Sequence, residues 1–168
     1  MKRVLNVGSG TTALPDKFGE YEITTLDISP AAKPDIVAPM TDMGDVGEYD
    51  VVWCSHALEH IYPHEVPVAL AEFLRVIKPG GHAIIFVPDL EGLKADESPL
   101  YLDPTGPITG LDLIYGHRVA MQDNIFMAHH TGFVALTLTE ALFKAGFDKA
   151  EVSRQPQFNL LGIGIKNA

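Results

Sequence analysis

The order of apolar runs along this chain points to a doubly wound α/β domain, an open and mostly parallel sheet with helices on its faces. The first apolar run, Val4-Leu5-Asn6-Val7, stops at Gly8-Ser9-Gly10. It reads as a buried strand entering a tight turn bare of side chains, where a ligand can come close to the backbone. A second, β-branched run ends in Asp27, 17 residues beyond Gly10. When ligands sit at the carboxyl ends of strands, that is the usual place for a carboxylate accepting hydrogen bonds from ribose hydroxyls. Further on, the strand-like run Asp50–Cys54, a helical period over 68–78 and the strand-like run Ala83–Val87 repeat the alternation of strand and helix.

The remaining elements follow in order. Between the first two strands, Thr11 to Glu20 carries Pro15 and Gly19 where a full crossover helix normally stands, so the first crossover is expected to be abbreviated. Ile23–Ile28 is the second strand, and a brief third is expected around Asp35–Val37 after the Ser29-Pro30 turn. Pro39 to Glu48, with two glycines and two aspartates, reads as a turn-rich connector. The fourth strand, Asp50–Cys54, ends at Ser55-His56. Pro67 suits a first helical turn, Val68, Leu70, Ala71, Leu74 and Ile77 recur at helical spacing, and Lys78-Pro79-Gly80-Gly81 is expected to stop that helix. After the fifth strand and Pro88-Asp89, residues 92–133 show no strict period beyond a helix expected over Leu111–Met121. Such an excursion inside one domain reads as a lid or substrate-side insertion. A helix from Thr137 to Ala145, capped by Thr137 or Thr139 and stopped by Gly146, precedes two apolar strands over 147–152 and 159–165.

Composition narrows the partners. A chain of 168 residues that is 46% hydrophobic and 20% charged fits one globular domain, residues 1–168. A net charge of -10 with only 12 Lys and Arg argues against nucleic acid, whose phosphates need clustered cations, and leaves a small molecule as the expected partner. Cys54 has no cysteine to pair with, and no apolar run reaches the roughly 20 residues that span a bilayer. With no apolar leader at the N-terminus either, a cytoplasmic protein with no membrane contact is expected.

Taken together the motifs resemble the class I S-adenosylmethionine-dependent methyltransferases, in particular the branch that acts on small molecules. Leu5–Gly10 matches the first motif of that family, Leu26–Ser29 the second, Tyr49–Ile61 the third and Glu72–His82 the fourth. The Lys-Pro-Gly-Gly of the last is the most specific. The resemblance spans the first half of the chain and the Ala145-Gly146-Phe147 tail. It implies a Rossmann-like, seven-stranded sheet whose last strand is antiparallel. It also implies S-adenosylmethionine as cofactor and S-adenosylhomocysteine as product. In that likeness Asn6, Gly8, Ser9 and Gly10 border the methionine part, Asp27 and Ile28 the ribose, Asp42 or Met43 the adenine, and Ser55 and His56 the methionine tail. Asn6 stands where many members carry aspartate, Thr12 replaces a third glycine, and Pro39 stands about where an adenine-binding aspartate is common.

His56-Ala57-Leu58-Glu59-His60 also fits the H-x-x-E-H pattern of inverted zinc peptidases. That pattern needs a sustained helix and a third ligand downstream, whereas here it follows a strand and runs into Tyr62-Pro63. It is read as a helix-start turn beside the cofactor, and no metal is assigned. His129 and His130, in the excursion, are the candidates for a general base toward a methyl acceptor. The expected function is methyl transfer to a small-molecule nucleophile. A methyltransferase-like binding domain without catalysis, or a nicotinamide-dependent oxidoreductase built on the same first strand and acid, are the alternatives.

Overall fold

The computed structural model describes residues 1–104 and 106–168, so Thr105, inside the 92–133 excursion, lies outside the described residues. The elements run β1 (Arg3–Val7), β2 (Glu22–Asp27), β3 (Ile36–Val37), β4 (Tyr49–Ser55), α1 (Val66–Val76), β5 (Ile77–Pro88), β6 (Pro99–Asp103) and β7 (Gly106–Thr109). They continue with α2 (Gly110–Tyr115), α3 (Arg118–Asp123), α4 (Ala135–Lys144), β8 (Lys149–Gln155) and β9 (Asn159–Ile165). A seven-stranded sheet has the order β3-β2-β1-β4-β5-β9-β8. Strand β9 runs antiparallel to both neighbours and the other pairs are parallel. This is the architecture the motifs implied. The chain steps outward from β1 to β3, then returns to β4 on the other side of β1. The carboxyl ends of β1 and β4 therefore flank a switch point, where open α/β sheets place their ligands.

Burial follows the expected pattern in β1 but not in α1, where Val68 and Ala71 of the expected stripe face outward and Ile77 belongs to β5. Val4, Leu5 and Val7 of β1 are fully buried, as a central parallel strand covered on both faces requires. On one face α1 presents Val66, Ala69, Leu70, Phe73 and Val76 to the sheet, a single stripe at helical spacing, and α4 adds Leu138 and Leu142. Each large side chain of this kind contributes roughly 1.5–3 kcal/mol when fully buried. The other face, where the first crossover helix is missing, is covered more thinly. A 3₁₀ turn, Asp16–Phe18, drops Phe18 against Trp53 at 5.5 Å and Tyr21 at 5.2 Å, both edge to face.

Several expectations are corrected. Helix α1 ends at Val76, and Lys78-Pro79-Gly80-Gly81 is a bulge within β5, between the pairs Tyr49↔Ile77 and Val51↔His82. The reason lies in Asp50: Lys78 Nζ is 2.9 Å from its carboxylate, and a Cβ on Gly81 would sit 2.7 Å from its carbonyl oxygen. The bulge thus wraps the start of β4, and only glycine can approach it this closely. Helix α4 begins earlier than expected, with Val134 as N-cap; Thr137 sits one turn in, its hydroxyl accepting from the Val134 N–H at 3.0 Å. The helix expected over 111–121 is broken at Gly116-His117 into α2 and α3. Asp112 organises that break. It closes a capping box with Thr109 at the start of α2 and accepts Arg118 Nε at 2.9 Å. Burial works against its charge, yet the hydrogen bonds from Arg118 and Thr109 outweigh burial and hold its carboxyl far below the usual range. Arg118 also forks onto Glu97, at 2.8 and 2.9 Å, so it is a strut of the excursion. No helix among the described residues is long and apolar enough to cross a membrane.

Candidate active site

A cleft of about 1080 Å³ opens at the carboxyl ends of β1, β2 and β4. Its floor begins at the turn after β1, where Gly8 and Gly10 both have positive φ, 66° and 50°. The two are bare for different reasons. A Cβ on Gly8 would lie 2.3 Å from Ala57 Cβ, so this glycine lets the loop after β4 close onto the turn. A Cβ on Gly10 would meet nothing within 4 Å, so this one leaves open space on the cleft side. The turn is pinned to β2, Gly8 N–H donating to the Leu26 carbonyl at 2.8 Å and Ser9 N–H at 3.2 Å.

Asp27 points at that turn. One carboxylate oxygen accepts from Gly10 N–H at 2.8 Å, the other from Ser29 N–H at 2.8 Å. A carboxylate has about four lone-pair sites, so half of its acceptor capacity is left for a ligand. Asn6, Ser9, Ile28, Ser55 and His56 line the same cleft. His56 sits at φ 50°, which costs a residue other than glycine of order 1–3 kcal/mol, and is held by its N–H to the Phe86 carbonyl at 2.9 Å.

Asp42 and Met43 are not among the lining residues; Ala38, Pro39, Met40 and Thr41 take that place. The cause is Glu72 on α1, which accepts from Met43 N–H at 3.0 Å and draws the turn toward the helix. Met43 is thereby buried in the core, and Asp42 is left exposed.

Across the cleft the wall is built by His60, Ile61 and Tyr62 and, from the excursion, Asn124 to Met127 and His130. The His130 ring stacks on Tyr62 with centroids 4.4 Å apart. The two candidate bases are thus separated: His130 faces the cleft, while His129 turns behind the wall, its Nδ1 2.9 Å from the Leu113 carbonyl. Burial depresses the His129 pKa below its usual value despite the nearby Glu59 charge. The excursion is stitched to the loop after β4. His130 and Thr131 N–H donate to the Glu59 carbonyl at 2.9 and 3.1 Å, and the Thr131 hydroxyl donates to that of Ile61 at 2.6 Å.

Residues 5–85 match a family model described as a methyltransferase domain. Over that stretch, just under half of its length, the chain matches methyltransferase domains. No curated protein matches its sequence. Among solved structures, this methyltransferase is similar to the 1,6-didemethyltoxoflavin-N1-methyltransferase of Burkholderia thailandensis, solved with 1,6-didemethyltoxoflavin and S-adenosylhomocysteine. The TM-score is 0.63 at 18% identity, over 99% of this chain and 72% of that one. Human N-acetylserotonin methyltransferase, solved with S-adenosylmethionine, gives 0.67 at 16% identity, over 99% and 48%. The N-methyltransferase NodS of Bradyrhizobium japonicum, solved with S-adenosylhomocysteine, gives 0.61 at 10%, over 99% and 79%. At these identities the likeness is one of fold, and this methyltransferase spans about half the length of the human protein.

Sequence reasoning missed one cluster of the methyltransferase. Glu59 is buried, and it brings its carboxylate within 4.8 Å of ligand atoms of both His60 and His129. His56 Nδ1 stands 3.4 Å from Glu59 Oε1, too poorly aligned for a hydrogen bond, so neither carboxylate oxygen has a hydrogen-bond partner. Burial pushes the Glu59 pKa up, but the contact with His56, followed by the charges of His56, His60 and His129, brings it below the usual value. His129 is the member of this cluster that only the fold supplies, and His56 of the H-x-x-E-H segment is not part of it.

Proposed function

We propose that this methyltransferase transfers a methyl group from S-adenosylmethionine to a nucleophilic atom of a small molecule. The observation that carries the reading is the pairing, at the switch point, of a bare Gly10 turn with a half-engaged Asp27 carboxylate. Their donor set fits an adenosyl cofactor: backbone for the methionine part at Asn6 to Gly10, lone pairs on Asp27 for ribose hydroxyls, and Pro39 to Thr41 beside the adenine. Ser55 and His56 border the methionine tail. When bound, the sulfonium supplies a methyl group that is already electrophilic. The protein's own task is therefore to align an acceptor in line with it and to exclude water. Residues 1–168 act as one domain, in which 92–133 form the acceptor-side wall. At about 1080 Å³, the cleft slightly exceeds the roughly 300–1,000 Å³ typical of small-molecule sites, which leaves room for an acceptor beside the cofactor. Tyr62 and His130 offer an acceptor a stacking face. His130 is the base where the acceptor arrives protonated, and His129 orients the wall behind it. A cytoplasmic setting goes with this reading, since the buried Cys54 has no cysteine to pair with.

Calorimetric titration with S-adenosylmethionine and S-adenosylhomocysteine tests the proposal. Asp27→Ala is expected to weaken both by about 10- to 150-fold, the worth of hydrogen bonds to a charged group, with the thermal transition of the free protein still cooperative. A response to NAD in place of both adenosyl ligands would favour the oxidoreductase reading. Binding without S-adenosylhomocysteine release across a panel of phenol, amine and heterocycle acceptors would favour the binding domain.

A further inference from the structure

The Glu59 cluster is a site of its own, outside the cofactor cradle. His60 Nδ1 lies 3.1 Å from the Ala128 carbonyl and His129 Nδ1 lies 2.9 Å from the Leu113 carbonyl. A carbonyl only accepts, so each Nδ1 carries a ring proton, and in the neutral imidazole each Nε2 keeps a lone pair. The ring centroids are 4.9 Å apart. Three electron-pair donors, one carboxylate and two imidazoles, therefore converge in a place where Glu59 is only 1% exposed and its oxygens have no hydrogen-bond donor. Such an arrangement calls for positive charge, which either a proton on a histidine or a bound cation supplies.

We propose that Glu59, His60 and His129 bind a divalent first-row transition ion, zinc being the ion that their chemistry fits. Two imidazoles and a carboxylate form a zinc set with one further position, and imidazole nitrogen favours this class over magnesium or calcium. The ring nitrogens held by backbone carbonyls match the supporting bonds that fix metal-bound histidines. Tetrahedral zinc with bonds of about 2.0–2.2 Å sets its ligand atoms about 3.4 Å apart, so the three groups need shifts of about an ångström to close on it. His60 also lines the cleft, which puts the ion directly behind the acceptor-side wall. It staples the end of the excursion, at His129, to the loop after β4, beside the bonds from His130 and Thr131 to the Glu59 carbonyl. The proposal does not depend on which cofactor or acceptor fills the cleft.

The test uses the full chain without an affinity tag. Elemental analysis of the purified protein and titration of the metal-stripped protein with zinc chloride are expected to give one equivalent per chain, with a rise in melting temperature. Cobalt chloride is expected to give the visible bands of a four-coordinate ion. His129→Gln and Glu59→Gln should each weaken zinc binding by about 100-fold or more, at least the loss usual for a supporting residue. His64→Gln, on the exposed turn nearby, should leave it unchanged. Less than stoichiometric binding by the unaltered chain at micromolar zinc would overturn the proposal. So would zinc affinity unmoved by His129→Gln or lost equally in His64→Gln. The measurement on the unaltered chain decides the matter even if a variant fails to fold.

Discussion

Replacing Gly8 by alanine tests how the cleft floor is made. The new methyl group would stand 2.3 Å from Ala57 Cβ, on a backbone at φ 66°. The left-handed conformation costs an alanine roughly 1–2 kcal/mol, and forcing a methyl group into a filled space costs roughly 1–3 kcal/mol. Stiffening of the unfolded chain returns about 0.4–1 kcal/mol. Gly8→Ala should therefore lose about 2–4 kcal/mol. Gly10→Ala, whose Cβ meets nothing within 4 Å, should lose only about 1 kcal/mol, the backbone share alone. Ala57→Gly placed in Gly8→Ala removes the collision, because the next atom, Ala57 Cα, is 3.7 Å away in ordinary contact. The double variant should recover about 1–2 kcal/mol relative to Gly8→Ala, the collision less the roughly 0.4–1 kcal/mol that a new glycine at 57 costs through the unfolded chain, and leave the backbone share unrecovered. Urea unfolding followed by fluorescence of the single tryptophan, Trp53, reads these differences, provided the slopes agree. A double variant no more stable than Gly8→Ala would refute the close approach of the two loops.

Two further predictions concern the frame around the site. Asp50 accepts from Lys78 Nζ at 2.9 Å and from Arg3 N–H at 2.7 Å, which together hold its pKa below the usual 3.8. A depressed carboxylate stabilises the fold above its unfolded pKa and loses that contribution as pH falls through its native one. Asp50→Asn should thus cost about 1 kcal/mol at pH 7, and the gap in urea midpoints should close below pH 3.8; a gap that widens toward acid contradicts the assignment. Phe73→Ala should cost about 3–5 kcal/mol, since Phe73 is fully buried on the inner face of α1. Val68→Ala, on the outer face at 49% exposure, should stay within about 0.5 kcal/mol; equal losses for the two would mean that the helix face is wrongly assigned.

What could be read in advance was what repeats locally. The β1 run, the glycines after it and Asp27 are close in sequence, and their periods and spacings carry their roles. The existence of α1 was legible for the same reason, as was the missing crossover helix, which Pro15 forbids. The inner face of α1 was not, because of the expected Val68, Leu70, Ala71 and Leu74 only Leu70 is fully buried, beside Val66, Ala69, Phe73 and Val76. Lys78-Pro79-Gly80-Gly81 shows where such reading stops. Taken alone it has every mark of a helix end, yet it is a strand bulge, because Asp50, 28 residues away, binds Lys78 and leaves no room for a side chain at Gly81. The loop after β3 is a second case: Met43 N–H bonds Glu72, 29 residues on, and Met40 and Thr41 rather than Asp42 and Met43 line the cleft.

The excursion was the least legible stretch, and it supplies part of one wall of the candidate site. Its order comes from single polar contacts rather than from a period: Asp112 joining two short helices through Arg118, and Thr131 reaching the Ile61 carbonyl across 70 residues. The H-x-x-E-H segment makes the same point. Read as a peptidase signature it asks for two histidines on one helix, but His56 is left-handed and only Leu58–His60 form a 3₁₀ turn. The group that joins Glu59 and His60 is His129, delivered by the break between α2 and α3 and the turn that follows. A buried carboxylate without an aligned donor is a demand the local sequence states only in part, because His60 stands next to Glu59 along the chain while His129 lies 70 residues further on.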